Sequence, residues 1–120
     1  MARVLIVDDS RTSRRVLKDI LEKNGHSVVG ECVNGKEGYE LYQTLKPDLV
    51  TMDITMPQMD GLDSLKFIMR YDNKAKVIMV TAAGQKEKMT EAIKVGAVEF
   101  ISKPLDEQKI MEVVNKLFSE

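Results

Sequence analysis

Short apolar runs alternate with longer segments of helical periodicity along this chain, and this alternation constrains the fold more than any other feature. Five apolar runs cover residues 4–7, 28–33, 48–52, 77–80 and 98–101. The last helical segment carries its apolar residues in one clear stripe, formed by Ile110, Val113, Val114, Leu117 and Phe118. Strands that alternate with helices are joined by right-handed crossovers and build a parallel sheet covered on both faces. The sequence therefore predicts an α/β fold, a doubly wound (βα)5 domain that fills residues 1–120.

Composition excludes several classes of protein. The 120 residues suffice for one core but not for two, and the formal net charge of -1 disfavours non-specific binding to nucleic acid or anionic membranes. Cys32 is the only cysteine, so no internal disulfide can form. No apolar run approaches the roughly 20 residues that span a bilayer, and the first residues lack the regions of a signal peptide. We therefore expect a cytoplasmic domain that binds neither nucleic acid directly nor a membrane.

Acidic residues stand where two of the predicted strands end. Asp8 and Asp9 follow the first apolar run, and Asp53 follows the third. Because parallel strands end at one edge, where open α/β sheets bind ligands, we expect these carboxylates to converge. Their repulsion requires a cation, and Mg²⁺ is usually held by one or two carboxylates together with a phosphate oxygen. Taken singly, Asp8 or Asp9 could cap a helix and Asp53 could begin a turn; their convergence favours a Mg²⁺ site.

Two other strand ends carry groups that suit phosphate. Thr81 follows the fourth apolar run, and Lys103 follows the fifth. The same topology brings both side chains to the acidic edge, whereas the second run ends without a group of this kind. A lysine ammonium and a threonine hydroxyl can each donate hydrogen bonds to phosphoryl oxygens. The strand ends together predict a site that binds a metal ion and a phosphoryl group.

Four motifs at these strand ends resemble those of a known family. They are Val-Leu-Ile-Val-Asp-Asp at 4–9, Met-Asp-Ile-Thr-Met-Pro-Gln-Met-Asp-Gly at 52–61, Val-Thr-Ala at 80–82 and Phe-Ile-Ser-Lys-Pro at 100–104. With them the chain resembles the receiver domains of two-component signalling, in particular the stand-alone CheY-type chemotaxis response regulators. The resemblance covers the whole chain and implies a flavodoxin-like sheet with strand order 2-1-3-4-5.

The resemblance implies roles for the acidic residues. Asp53 would be the phosphoacceptor for a phosphohistidine of a sensor histidine kinase similar to CheA. Asp8 and Asp9 would hold Mg²⁺ together with Asp53 and the main-chain carbonyl of Thr55. Such a protein is a signalling switch rather than an enzyme, although it promotes its own Mg²⁺-dependent phosphorylation and dephosphorylation.

The remaining motif residues would bind and report the phosphoryl group. Lys103 and Thr81 would contact its oxygens, and Phe100 would be the aromatic switch residue. The side chains of Thr55 and Ala83, each two residues beyond a site residue, would tune the lifetime of the acyl phosphate. The resemblance also implies a cis peptide bond between Lys103 and Pro104.

The sequence says less about the downstream partner than about the phosphorylation site. A stand-alone chemotaxis regulator would act as a monomer and would bind a flagellar motor switch protein, or another downstream target, through its fourth helix, fifth strand and fifth helix. A single-domain receiver in a sporulation-type phosphorelay is an alternative, and so is the excised receiver of a DNA-binding transcriptional regulator. The last helix ends at Ser119-Glu120 without a linker, which favours a free-standing protein.

Histidine and cysteine chemistry is not expected to contribute. His26 is the only histidine and follows a glycine in a turn, so we expect it to be solvated. Cys32 lies within the second apolar run and is expected to be a buried small hydrophobic residue. One residue of each type cannot form a zinc site.

Overall fold

A computed structural model describes residues 1–118, in which five strands alternate with five helices. The strands are β1 (Arg3–Val7), β2 (Ser27–Cys32), β3 (Leu49–Asp53), β4 (Val77–Thr81) and β5 (Glu99–Ser102). The helices are α1 (Arg11–Lys23), α2 (Gly35–Leu45), α3 (Gly61–Tyr71), α4 (Lys86–Val95) and α5 (Glu107–Phe118). All four strand pairs are parallel, in the order β2-β1-β3-β4-β5, which confirms the predicted fold class and strand order. The predicted helix end at Ser119-Glu120 lies outside the described residues.

The sheet separates two apolar clusters because successive side chains of a strand point to opposite faces. In β1, Leu5 and Val7 pack into the cluster that α2, α3 and α4 cover. Their neighbours Val4 and Ile6 pack into the other cluster, which α1 and α5 cover. Every residue of the central strands β3 and β4 is buried. This burial on both faces explains why those strands appear in the sequence as continuous apolar runs rather than alternating ones.

Ser10, rather than one of the neighbouring acids, caps the first helix. Its hydroxyl oxygen accepts a hydrogen bond from the backbone N–H of Ser13 at 3.2 Å, as an N-cap residue does. Neither Asp8 nor Asp9 therefore caps α1, and the capping alternative for this pair is wrong. Comparable side-chain caps begin α2 and α3, at Asn34 and Asp60.

Three strands end one residue later than the apolar runs that predicted them. Asp53, Thr81 and Ser102 are the last residues of β3, β4 and β5 rather than the first residues after them. Backbone hydrogen bonds extend the ladder this far: Ile54 N–H donates to Val80 at 3.2 Å, and Lys103 N–H donates to the carbonyl of Thr81 at 2.7 Å. Because these last residues are polar, the apolar runs alone did not predict where the strands end.

His26 is not the solvated turn residue that its sequence context predicted. Its Nδ1 accepts a hydrogen bond from the backbone N–H of Ala2 at 2.9 Å, and the ring is half-buried 6.5 Å from that of Phe118. Burial lowers the pKa of this imidazole. Cys32, in contrast, is buried as predicted, and burial raises the pKa of its thiol to about 12. None of the described helices is long and apolar enough to cross a membrane.

Candidate functional site

Three carboxylates converge at the carboxyl edge of the sheet. β1 and β3 are neighbours in register, with Val7 beside Met52, so the residues that end or follow them lie side by side. Carboxylate oxygens of Asp8, Asp9 and Asp53 lie within 4.8 Å of one another. Asp8 and Asp53 are buried and Asp9 is exposed. The predicted convergence is therefore confirmed, and the cluster opens to solvent on the side of Asp9.

Asp8 is held by two hydrogen bonds, but one of its carboxylate oxygens accepts none. Its backbone N–H donates to the carbonyl of Cys32 at 3.0 Å, and its Oδ1 accepts from the N–H of Ser10 at 2.8 Å. The second strand thus supports the site through a carbonyl group, which the sequence did not indicate. Asp8 Oδ2 is buried and accepts no hydrogen bond. Such an atom is costly unless a cation neutralises it, so this donor set fits the hard, oxygen-ligated Mg²⁺ ion.

Lys103 lies between two of the carboxylates. Its Nζ is 3.6 Å from Asp8 Oδ2 and 3.7 Å from Asp53 Oδ2. Both distances exceed those of charge-assisted hydrogen bonds, so the ammonium acts as a shared positive charge rather than as the donor of a fixed pair. The peptide bond between Lys103 and Pro104 is cis, as the family resemblance implied.

The surroundings of Asp53 raise its pKa to about 6. Burial is the largest cause, and the negative charges of Asp8 and Asp9 act in the same direction. The ammonium of Lys103 and the backbone N–H of Ile54 oppose this shift. The carboxylate is thus ionised at neutral pH at a cost in free energy, which a bound cation would reduce.

The raised pKa of Asp53 predicts that its charge destabilises the metal-free protein. The folded state binds this proton more tightly than the unfolded chain, so stability falls as pH rises from about 4 to about 6 and stays reduced above that. In EDTA at about pH 7.5, we expect Asp53→Asn to raise the free energy of unfolding by on the order of 2 kcal/mol.

Urea unfolding with and without EDTA measures this effect. The gain should disappear at about pH 4, where the wild-type carboxyl is protonated, and should shrink when Mg²⁺ is added. Asp19→Asn is the matched control, because Asp19 is an exposed acid paired only with Arg15 four residues earlier. Equal stability of Asp53→Asn and wild type in EDTA would contradict the raised pKa.

The loop after β3 is folded tightly against the site. Gly61 N–H donates to the carbonyl of Ile54 at 2.7 Å, which closes the loop directly behind Asp53. A Cβ added at Gly61 would lie 2.0 Å from the carbonyl oxygen of Asp53. The Asp-Gly pair indicated only a turn in the sequence, whereas the structure requires glycine here for close backbone approach.

The other predicted residues lie on β4, on β5 and in the loops that follow β3 and β4. Thr81 is buried at the end of β4, and Ala83 is exposed in the loop that follows. Thr55 is exposed two residues after Asp53. Phe100, on β5, has 39% of its surface exposed, so its ring faces outward in this conformation. Their roles remain predictions, although each lies at or beside the edge that the sequence indicated.

Gln85 is a neighbour of the site that the sequence did not single out. Its Oε1 accepts a hydrogen bond from the backbone N–H of Ala82 at 2.8 Å, and its Nε2 donates to the hydroxyl of Thr55. A glutamine just before a helix carries no local signal of such contacts. Only its position one residue after a glycine, in the loop following β4, could have drawn attention to it.

Comparison with known proteins agrees with this geometry. Residues 4–115 match the family model for the response regulator receiver domain, and the chain belongs to that family. Its members in two-component signalling are response regulators, and we assign this chain to that class.

Within the family, the most informative similarities involve chemotaxis proteins. The chain is 52% identical to the chemotaxis protein CheY of Thermotoga maritima over 96% of both chains. It is also 47% identical to protein CcdB of Bacillus subtilis over 98% of both. A solved CheX-CheY-BeF3-Mg complex from Borrelia burgdorferi contains a chain with a TM-score of 0.93 and 38% identity, covering 98% of this chain and 90% of that one.

Proposed function

We propose that this chain is a phosphoacceptor response regulator, phosphorylated on Asp53 by a sensor histidine kinase similar to CheA. The observation that carries the proposal is the position of the Lys103 amine, 3.7 Å from the buried Asp53 carboxylate and 3.6 Å from Asp8. A lysine and clustered acids around one carboxylate suit the transfer of a phosphoryl group to that carboxylate. The protein would act in the cytoplasm as a monomeric switch rather than as an enzyme.

The chemistry needs little beyond positioning. A carboxylate oxygen of Asp53 forms a bond to phosphorus while the bond between phosphorus and the kinase histidine breaks, and the histidine nitrogen keeps the electron pair. No side-chain base is needed because the carboxylate is already ionised. Lys103 holds a positive charge beside the transferred oxygens. Mg²⁺, held by Asp8, Asp9, Asp53 and the main-chain carbonyl of Thr55, would neutralise charge on those oxygens.

The phosphoryl group would change the surface through Thr81 and Phe100. The Thr81 hydroxyl donates to a phosphoryl oxygen and vacates space beside β5, and the exposed ring of Phe100 turns inward. This is a shift between two packings that a local charge biases. The region of α4, β5 and α5 already exposes Ile93 on α4 and Val98 directly before β5, with 44% and 39% of their surfaces accessible. A downstream protein would distinguish the two states in this region.

Chemotaxis is the most favoured output, with the flagellar motor switch protein as the target. Similarity to CheY proteins along nearly the whole chain supports it. The relative named CcdB is almost as similar and is not named as a chemotaxis protein, so a phosphorelay or other receiver role is the second candidate. A phosphorelay intermediate would pass its phosphoryl group to a histidine of a second protein, whereas a motor regulator would not.

Incubation with acetyl phosphate and Mg²⁺ tests the proposed chemistry. Intact mass measurement should show one added phosphoryl group on wild type and none on Asp53→Asn. Asp48→Asn is the control, because Asp48 is an exposed acid at the opposite end of β3, bound to the backbone N–H of Arg3. Equal phosphorylation of Asp53→Asn would refute the assignment of the phosphoacceptor.

A binding measurement then separates the two outputs. Wild type in acetyl phosphate should be retained by a flagellar switch protein, and Asp53→Asn should not. Transfer of the phosphoryl group to a histidine phosphotransfer protein, without binding to the switch protein, would instead establish the relay role.

A further inference from the structure

The ladder between β3 and β4 ends beside the phosphorylation site. Asp53 pairs in register with Val80, and the last backbone hydrogen bond between the strands runs from Ile54 N–H to the carbonyl of Val80. Beyond this bond the chain enters two different loops, one leading to α3 and the other to α4. The gap between them lies outside the carboxyl ends of the strands, where ligands of such sheets bind.

The carboxamide of Gln85 bridges this gap. Its oxygen accepts from the N–H of Ala82 and its nitrogen donates to the hydroxyl of Thr55, so one side chain links the two loops. A second link lies further along, where Lys88 Nζ is 3.4 Å from Asp60 Oδ2. The loop after β3 is thus attached to the beginning of α4 near both of its ends.

A groove of ≈ 520 Å³ adjoins this bridge. It is lined by Thr55, Gly84, Gln85, Lys86, Glu87 and Lys88. A water molecule takes up about 30 Å³ in the liquid, so the groove has room for several waters. Water in the groove would contact the Gln85 and Thr55 side chains, which belong to both the groove lining and the bridge.

We propose that Gln85 is a positioning residue that lengthens the lifetime of the phosphoryl group on Asp53. Its two hydrogen bonds hold Thr55 across the gap and restrict the approach of water from the groove. In hydrolysis, the water oxygen bonds to phosphorus, the bond from phosphorus to the Asp53 oxygen breaks, and a water proton passes to solvent. This inference rests on the proposed function, because it concerns the stability of the phosphorylated form.

Dephosphorylation rates of Gln85 variants test the inference. After phosphorylation and removal of the donor, we expect Gln85→Ala to lose its phosphoryl group about 10-fold faster than wild type, the effect of about one hydrogen bond. Gln85→Met keeps the length of the side chain without its hydrogen bonds and should be equally fast. Adding Thr55→Val to Gln85→Ala should produce no further increase, since both remove the same bridge. Gln108→Ala, an exposed glutamine on α5, is the matched control.

Amide hydrogen exchange supplies a readout in the unphosphorylated protein. Gln85→Ala should accelerate exchange at the N–H of Ala82, which loses its acceptor, without affecting amides in the core of β4. Unchanged exchange at Ala82 would overturn the bridge itself.

The outcomes separate this inference from the proposed function. Hydrolysis that is unchanged or slower in Gln85→Ala overturns the inference alone. A fast Gln85→Ala beside a Gln85→Met at the wild-type rate also overturns it, because bulk rather than hydrogen bonding would then exclude water. A wild-type protein that takes up no phosphoryl group overturns the proposed function and this inference together.

Discussion

When Lys103 is replaced with alanine, we expect acetyl phosphate to phosphorylate Asp53 more slowly by a factor on the order of 10². This is the usual effect of losing one preorganised group that stabilises charge in the transition state. The amine lies 3.7 Å from Asp53 Oδ2. No other described Lys or Arg side chain forms an ion pair with Asp53. Its removal therefore leaves the incoming phosphoryl oxygens without their positive protein partner.

The same substitution should alter the pH dependence of the reaction. Lys103 opposes the upward shift of the Asp53 pKa, which is about 6 without a metal ion, so its loss should raise that pKa. The rate of phosphorylation should then fall at a higher pH than in wild type as the solution is acidified, because only the ionised carboxylate attacks. Rates measured from about pH 5 to about pH 8 would show this displacement.

Lys74→Ala is the control for this experiment, because Lys74 is exposed in the turn before β4. Its rate and pH profile should match those of wild type. A Lys103→Ala variant that is phosphorylated at the wild-type rate would mean that the amine contributes nothing to the transfer. Folding of the variant is checked by urea unfolding, so that loss of structure is not mistaken for loss of chemistry.

Replacing Gly61 with alanine is expected to lower the free energy of unfolding by about 3 kcal/mol, the upper part of the usual range for an added group in a packed site. The new Cβ would lie 2.0 Å from the carbonyl oxygen of Asp53, 2.8 Å from its carbonyl carbon and 3.0 Å from Cα of Ile54. All three are backbone atoms, so no side-chain rotation relieves the clash. Because these atoms carry Asp53, the rate of phosphorylation should fall as well.

Gly84→Ala separates steric clash from backbone strain. Gly84 has φ +87 but nothing within 4 Å of an added Cβ, so its replacement should cost only about 1 kcal/mol. Urea unfolding of the two variants measures the difference. A Gly61→Ala protein as stable as Gly84→Ala would show that the loop after β3 can move away from Asp53, contrary to the tight packing described above.

Much of the fold follows from local patterns. The runs at 49–52 and 77–80 are apolar because β3 and β4 are buried on both faces, and their positions in the sequence identify both strands. Asn24 and Gly25 end α1 as expected of a C-cap and its following residue, with Gly25 at φ +89. Strand order was implied by the family resemblance rather than by these patterns, since apolar periodicity does not say which strands are neighbours.

The candidate site was predictable as a set of residues but not as an arrangement of atoms. The acids Asp8, Asp9 and Asp53 follow or end strands, and parallel topology is enough to bring them to one edge. The lack of a hydrogen bond to Asp8 Oδ2 and the position of Lys103 between two carboxylates depend on side-chain directions that the sequence does not encode locally. His26 was assigned wrongly for the same reason, because its partner Ala2 is 24 residues away.

The alternation of strands and helices and the chemical character of the strand ends can be predicted from sequence, because both depend on neighbouring residues and on general rules of chain connection. Contacts between particular atoms cannot be predicted in this way: examples are the backbone contact that excludes a side chain at Gly61, and the bridge from Gln85 to Thr55 across 30 residues. Such contacts form where two loops approach within a few ångströms, and that approach is set by the packing of the whole sheet and its helices.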